Sequence, residues 1–164
     1  MKLLVSVYET TNIIGHYNMA DLCLLSDYED FKSEFDLVNK SMASVGRPTI
    51  MEVEVEPGVT RQLRVLMRDT YLLSPQGLNS LSKIGELYSS SLDGIGKIKI
   101  DPSVYEDMEG YLDRNRSEFI AYGLQDSAIP IMHACCIEEF GFSQGVSVLP
   151  VTVSSLGSSL LRKF

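Results

Sequence analysis

The plainest pattern in the chain is an alternation. In TIMEVEVE, Met51, Val53 and Val55 alternate with polar positions, the period of a half-buried strand. Pro57-Gly58 turns the chain and RQLRVLMRDTYLL continues extended, so residues 49 to 73 read as a β-hairpin or meander. Upstream, NIIGHYN (12–18) is a short apolar run that suits a buried strand. The period then changes: MADLCLLSDYEDFKSEFDLVNKSM places Leu22, Leu25, Phe31, Phe35 and Val38 at helical spacing, until Gly46 and Pro48 break it.

Downstream, Ser74 reads as a helix cap with Pro75 at the first helical position, and Asp101 with Pro102 repeats that signal. GIGKIKI is a short extended piece, and Arg114 to Glu118 form a polar break. A helix follows in FIAYGLQDSAIPIMHACC (119–136), and VLPVTVSSLGSSLLRKF suits a strand followed by a short helix. Alternating strands and helices define an α/β class.

One residue in the 119–136 helix does not belong to a plain core pattern. Asp126 lies one turn after Tyr122, on the side that the apolar positions Phe119, Ile120, Tyr122, Ile129, Met132 and Cys136 turn towards the core. A carboxylate there needs a cation, a donor or a metal. An arginine pair or the cap of a kink would satisfy it as simply as a functional role. Asp21 is the second candidate, because it starts a helix directly after an apolar strand, where α/β sheets build their sites. Its plain reading is a carboxylate near the positive end of a helix.

Composition narrows the picture. The 164 residues fit one domain with a sizeable core, and a net charge of −8 argues against duplex DNA binding by charge alone. It leaves room for a small acidic site that meets nucleic acid through a divalent metal. Cys23, Cys135 and Cys136 have no ligand spacing and read as small core residues of an intracellular, cytoplasmic protein. The opening MKLLVSVYETTN is too short in apolar residues for a signal peptide, and no run approaches a membrane span.

The order of GHYNMADLCLL, LMRDTYLLSPQGLNSLSKIGELY, GIGKIKID and FIAYGLQDS resembles successive blocks of the 3′–5′ exonuclease domain of family B DNA polymerases, in its protein-primed branch. The resemblance covers roughly residues 11 to 140. It implies a ribonuclease H-like fold in which four acidic residues hold two divalent metals, Mg²⁺ or Mn²⁺. By resemblance Asp21 matches the second exonuclease motif, and Tyr122 with Asp126 matches the third, Y-x-x-x-D. Lys97 matches a lysine near the scissile phosphate, Thr70 a residue that contacts the primer strand, and His16, Tyr17 and Asn18 the strand-binding part of the second motif. Two metals would activate the attacking water and stabilise the leaving oxygen, with Tyr122 orienting the water.

The chain departs from that family in two places. The first motif, D-x-E, should precede NIIGHYN, but only eleven residues stand before Asn12 and none is an aspartate. The D-x-E spelled by Asp27 to Glu29 lies downstream of Asp21 and reads as a solvated helix face. Ala20 replaces an aromatic, and Asn18 stands only three residues before Asp21. The expectation is therefore an exonuclease domain incomplete at its N-terminus over residues 1–145, with 146–164 as a tail leading towards a polymerase region. Asp21 and Asp126 should share a site that binds one metal weakly. Expected partners are single-stranded DNA or a primer terminus, the remainder of a DNA polymerase, and a second copy of the chain across an open sheet edge. A non-catalytic remnant that binds single strands or a protein is the alternative.

Overall fold

The computed structural model describes residues 10–89 and 96–162. They fall into two compact units that divide between Asp69 and Thr70.

In the first unit the alternating segments pair as their period requires. β4 (Thr49–Glu56) and β5 (Val59–Asp69) form an antiparallel hairpin around Pro57-Gly58. Gly58 sits at φ 78°, a left-handed conformation that glycine takes without steric cost. The register shifts between Glu54 and Glu56, which leaves Val55 as the extra residue of a bulge. β1 (Thr10–Gly15) lies on the other side of β5, parallel to it, with Gly15 opposite Asp69. The order β1-β5-β4 makes β5 the central strand, and its second half carries the buried residues Val65, Met67, Arg68 and Asp69.

Two expectations need correction here. The strand expected over 12–18 ends at Gly15 and is not buried: β1 pairs on one side only among the described residues, so Ile13 stays exposed. The helix expected after it is not continuous. Short helices α1 (Asn18–Leu22) and α2 (Tyr28–Phe31) and a 3-10 turn (Lys32–Glu34) make up its first part. A small antiparallel pair, β2 (Asp36–Val38) and β3 (Ser41–Ala43), replaces the rest. Asn39 and Lys40, both at positive φ (44° and 67°), form the two-residue turn between them, a geometry that asparagine tolerates. The helical spacing nonetheless picked out core residues: Leu22, Phe31 and Phe35 pack with Met19, Tyr28, Met42 and Met67.

The second unit is helical: α3 (Leu81–Tyr88), α4 (Met108–Arg114), α5 (Arg116–Ser143) and α6 (Val153–Leu161). Ser80, not Ser74, caps α3, accepting from Lys83 N at 3.4 Å. Ser74 has another task, since its hydroxyl donates to the Thr70 carbonyl at 2.8 Å. Asp101 caps as expected, but only a 3-10 turn (Pro102–Glu106); Asp107 then caps α4. The expected polar break at 114–118 shrinks to Asn115. In the tail the helix forms, with Thr152 and Ser155 in a reciprocal capping box, whereas residues 146–152 make no strand. Of GIGKIKI, Gly94 and Ile95 lie outside the described residues, and Gly96–Ile100 have no regular structure.

α3 packs on α5 through Ile84 and Ile129, both fully buried. A buried polar chain reinforces the contact. The Thr70 carbonyl can only accept, so Ser74 Oγ donates to it and itself accepts from His133 Nε2 at 2.9 Å. His133 Nδ1 is then left to accept from the Tyr88 hydroxyl at 2.7 Å. Burial, followed by interactions with Cys136, pushes the Tyr88 phenol up to about 12. No helix among the described residues is long and apolar enough to cross a membrane.

Candidate functional site

The sequence-predicted residues divide between the two units. His16, Tyr17, Asn18 and Asp21 lie in the first; Thr70, Lys97, Tyr122 and Asp126 lie in the second.

In the first unit, β1 ends at Gly15 and the chain turns through His16 and Tyr17 into α1. Tyr17 holds φ 61°, an unusual conformation for an aromatic residue, and its side chain does not cap the helix. Cap and turn are instead satisfied from a distance. The Asp69 carboxylate accepts from Tyr17 N and Asn18 N, each at 2.8 Å, and from the Ser41 hydroxyl. These donors compensate its complete burial. The Asn18 amide is likewise buried and donates to the carbonyls of Met42 and Arg68, at 3.1 and 3.2 Å. Gly15 must be glycine for this arrangement, because a Cβ there would overlap Asn18 Oδ1. His16 is half-buried, while Tyr17 and Asp21 are exposed.

In the second unit, Lys97 and the third-motif pair come together. α5 places Tyr122 and Asp126 one turn apart, and the irregular segment beginning at Gly96 lies against them. Lys97 Nζ stands 3.7 Å from Asp126 Oδ2, with the two side chains 32% and 21% exposed. Next in sequence, Gln125 Nε2 donates to the Gly96 carbonyl at 2.9 Å and ties the segment to the helix. Gly85 of α3 lies close by: a Cβ there would stand 3.3 Å from Ile129 Cδ1 and in ordinary contact with Lys97 N at 3.4 Å. Burial, then the Asp126 carboxylate and the Tyr105 hydroxyl, raise the Tyr122 phenol far above its ordinary range and keep it protonated.

Asp126 remains incompletely satisfied. Its Oδ1 is buried and has no hydrogen-bond partner among the described residues. Pro130, four residues on in the same helix, has no N–H to meet the Asp126 carbonyl. Of the cation, donor or metal expected beside this carboxylate, the second unit supplies the Lys97 ammonium. The donor set does not fit a divalent metal by itself. Mg²⁺ and Mn²⁺ need several hard oxygens, and here one carboxylate is shared with a positive charge. Among the described residues no three His, Cys, Asp or Glu side chains are grouped to hold a metal.

Thr70 is fully buried, so a role at a primer strand would require that burial to open. Asp21 and Asp126 lie in different units. Sequence reading passed over Asp69, Gln125 and Tyr105. The signal for Asp69 was present: an aspartate at the end of RQLRVLMRD, where the alternation predicts an inward position, needs partners as much as Asp126 does.

No protein-family model, no curated protein and no solved structure matches the chain.

Proposed function

We propose that the chain is the 3′–5′ exonuclease domain of a DNA polymerase, or a fragment of it, and binds the 3′ end of single-stranded DNA. The observation that supports this reading most is the convergence of Lys97 with Tyr122 and Asp126. These residues match separate motifs of the resemblance, 25 and 29 positions apart, and nothing in their spacing alone would bring them together. A protonated Tyr122 is a hydrogen-bond donor beside the carboxylate, and Lys97 supplies a positive charge for a phosphate. The fold belonging to this reading is ribonuclease H-like, and the compartment cytoplasmic. Mg²⁺ or Mn²⁺ would belong to a fuller set of carboxylates than the described residues provide.

A non-catalytic single-strand-binding or protein-interaction role is the second reading. It is favoured by the Lys97–Asp126 ion pair, which uses one carboxylate oxygen, and by the sparse donor set. One experiment separates them. Fluorescence anisotropy with a 5′-labelled oligothymidylate should show binding that weakens in Lys97→Ala, and Mn²⁺ should produce little or no hydrolysis by the 164-residue chain. Supplying an upstream D-x-E strand should bring mononucleotide release that Asp126→Ala abolishes and Tyr122→Phe slows. Binding without hydrolysis in the extended protein would favour the second reading. Absence of strand binding in both proteins would discard the exonuclease reading.

A further inference from the structure

Asp69 was given no role in the sequence, although it lies in the LMRDTYLL block, yet the turn carrying His16 and Tyr17 is built on it. We infer that Asp69 is a positioning residue: its buried carboxylate holds the Gly15–Asn18 turn in the one conformation that presents Tyr17 to a single strand. This deepens the reading above and rests on it for the identity of the ligand.

Tyr17 occupies a left-handed backbone conformation that costs an L-residue on the order of 1 kcal/mol and survives only where surrounding structure imposes it. The imposing contacts are the two 2.8 Å bonds from the successive amides of Tyr17 and Asn18 to the two oxygens of Asp69. A single carboxylate thus fixes two consecutive peptide planes. The parallel pairing of Gly15 with Asp69 brings the carboxylate to the turn. The Ser41 hydroxyl bonds Oδ2 from the β2–β3 pair, and the Asn18 amide closes the turn onto the backbones of Met42 and Arg68. The Tyr17 side chain is 41% exposed on this fixed backbone. An exposed aromatic ring can stack on a nucleobase. An asparagine at position 69 could accept through its oxygen but would turn its NH₂ towards the second amide, so it would break the paired acceptance with little change in volume.

The test uses the whole chain. In the wild-type protein the amide protons of Tyr17 and Asn18 should be protected from hydrogen exchange, and Asp69→Asn should remove that protection while cooperative melting is retained. Affinity for an oligothymidylate should fall at least tenfold in Asp69→Asn and similarly in Tyr17→Ala, with no further loss in the double variant. If Asp69→Asn fails to fold, Ser41→Ala removes one donor alone and should give a smaller loss of both protection and affinity. Unprotected amides in the wild type would overturn the inference. So would full affinity in an Asp69→Asn protein whose turn amides have become exposed, or independent, multiplying losses in the double variant. Absence of wild-type strand binding with the amides protected would discard the exonuclease reading and leave Asp69 as the holder of the turn.

Discussion

Asp69 and Asp126 are two inward carboxylates whose surroundings have little in common. Asp69, at the end of the central strand, is inaccessible to solvent and accepts from two backbone amides and a serine hydroxyl. Asp126, in the middle of the long helix, has an ion pair at 3.7 Å on one oxygen and the Tyr122 hydroxyl beside its carboxylate, while Oδ1 has no hydrogen-bond partner among the described residues. The first is what a buried carboxylate looks like when the fold consumes all its capacity. The second keeps capacity unspent, and such incomplete satisfaction concentrates where a molecule meets something else. The comparison teaches that burial alone does not mark a site. What marks it is the acceptor capacity left over.

The contrast fails most visibly if Asp69 proves dispensable. Asp69→Ala leaves two amides and a hydroxyl without acceptors, each worth about 1–3 kcal/mol when buried, so a loss of about 3 kcal/mol or more is expected. Urea unfolding followed by circular dichroism would measure it. A loss below about 1 kcal/mol would mean that the turn does not depend on the carboxylate.

The second unit has its own fully used group in His133. His133→Ala removes both partners of the chain from Thr70 to Tyr88 and opens space between α3 and α5. A loss of about 2–3 kcal/mol is expected, because Ser74 and Tyr88 remain where water does not easily replace the imidazole. His133→Gln, able to replace part of the bonding, should recover some of it. Full recovery in His133→Leu, which fills the space without bonding, would show that volume, rather than the polar chain, holds the helices.

How much of this was legible depends on the range over which each signal acts. The β4–β5 hairpin was readable because its alternation and its Pro57-Gly58 turn are local and agree. The caps Asp101 and Thr152 act within three residues; Asp101 was read directly, and the helix that Thr152 caps was expected in the tail. The region from 19 to 42 was misread because Leu22, Phe31 and Phe35 share a core without sharing a helix, and the Asn39-Lys40 turn that joins β2 to β3 has no glycine to announce it. Asp126 was found through its conflict with an apolar helix face. Asp69 carried a comparable local signal, an inward aspartate on an alternating strand, but the partners that satisfy it lie 28 to 52 positions away, at Ser41, Asn18 and Tyr17, so its role at the turn was not legible.

Tyr88 gives the contrast a pH axis. Its folded-state pKa, pushed up to about 12 by burial and then by Cys136, exceeds the ordinary value of 10.0. A raised folded-state pKa stabilises the protein fully below pH 10, and that contribution disappears as pH rises through about 12. Between these values stability should fall by about 1–2 kcal/mol from this residue, after discounting for its partial exposure. Denaturant midpoints measured from pH 9 to 12, with tyrosinate absorbance as a second probe, would show the decline. Tyr88→Phe should flatten it. An unchanged slope in that variant would assign the alkaline transition elsewhere, Tyr122 being the next group with a raised pKa.

The smallest stability effect should belong to the residue with the most unspent capacity. Asp126→Asn removes the charge facing Lys97, but a partly exposed pair 3.7 Å apart contributes only about 0–1 kcal/mol. The substitution also removes the cost of keeping an unpartnered charged oxygen buried, so the two changes oppose each other. Melting of Asp126→Asn should therefore stay within about 1 kcal/mol of wild type, or rise slightly. A loss near that of Asp69→Ala would show that Asp126 is a structural carboxylate with partners of its own, and the contrast between the two aspartates would collapse. Unchanged stability combined with weaker strand binding, or with lost hydrolysis in a D-x-E-extended protein, would sharpen it: one aspartate holds the fold, and the other is held by the fold for use.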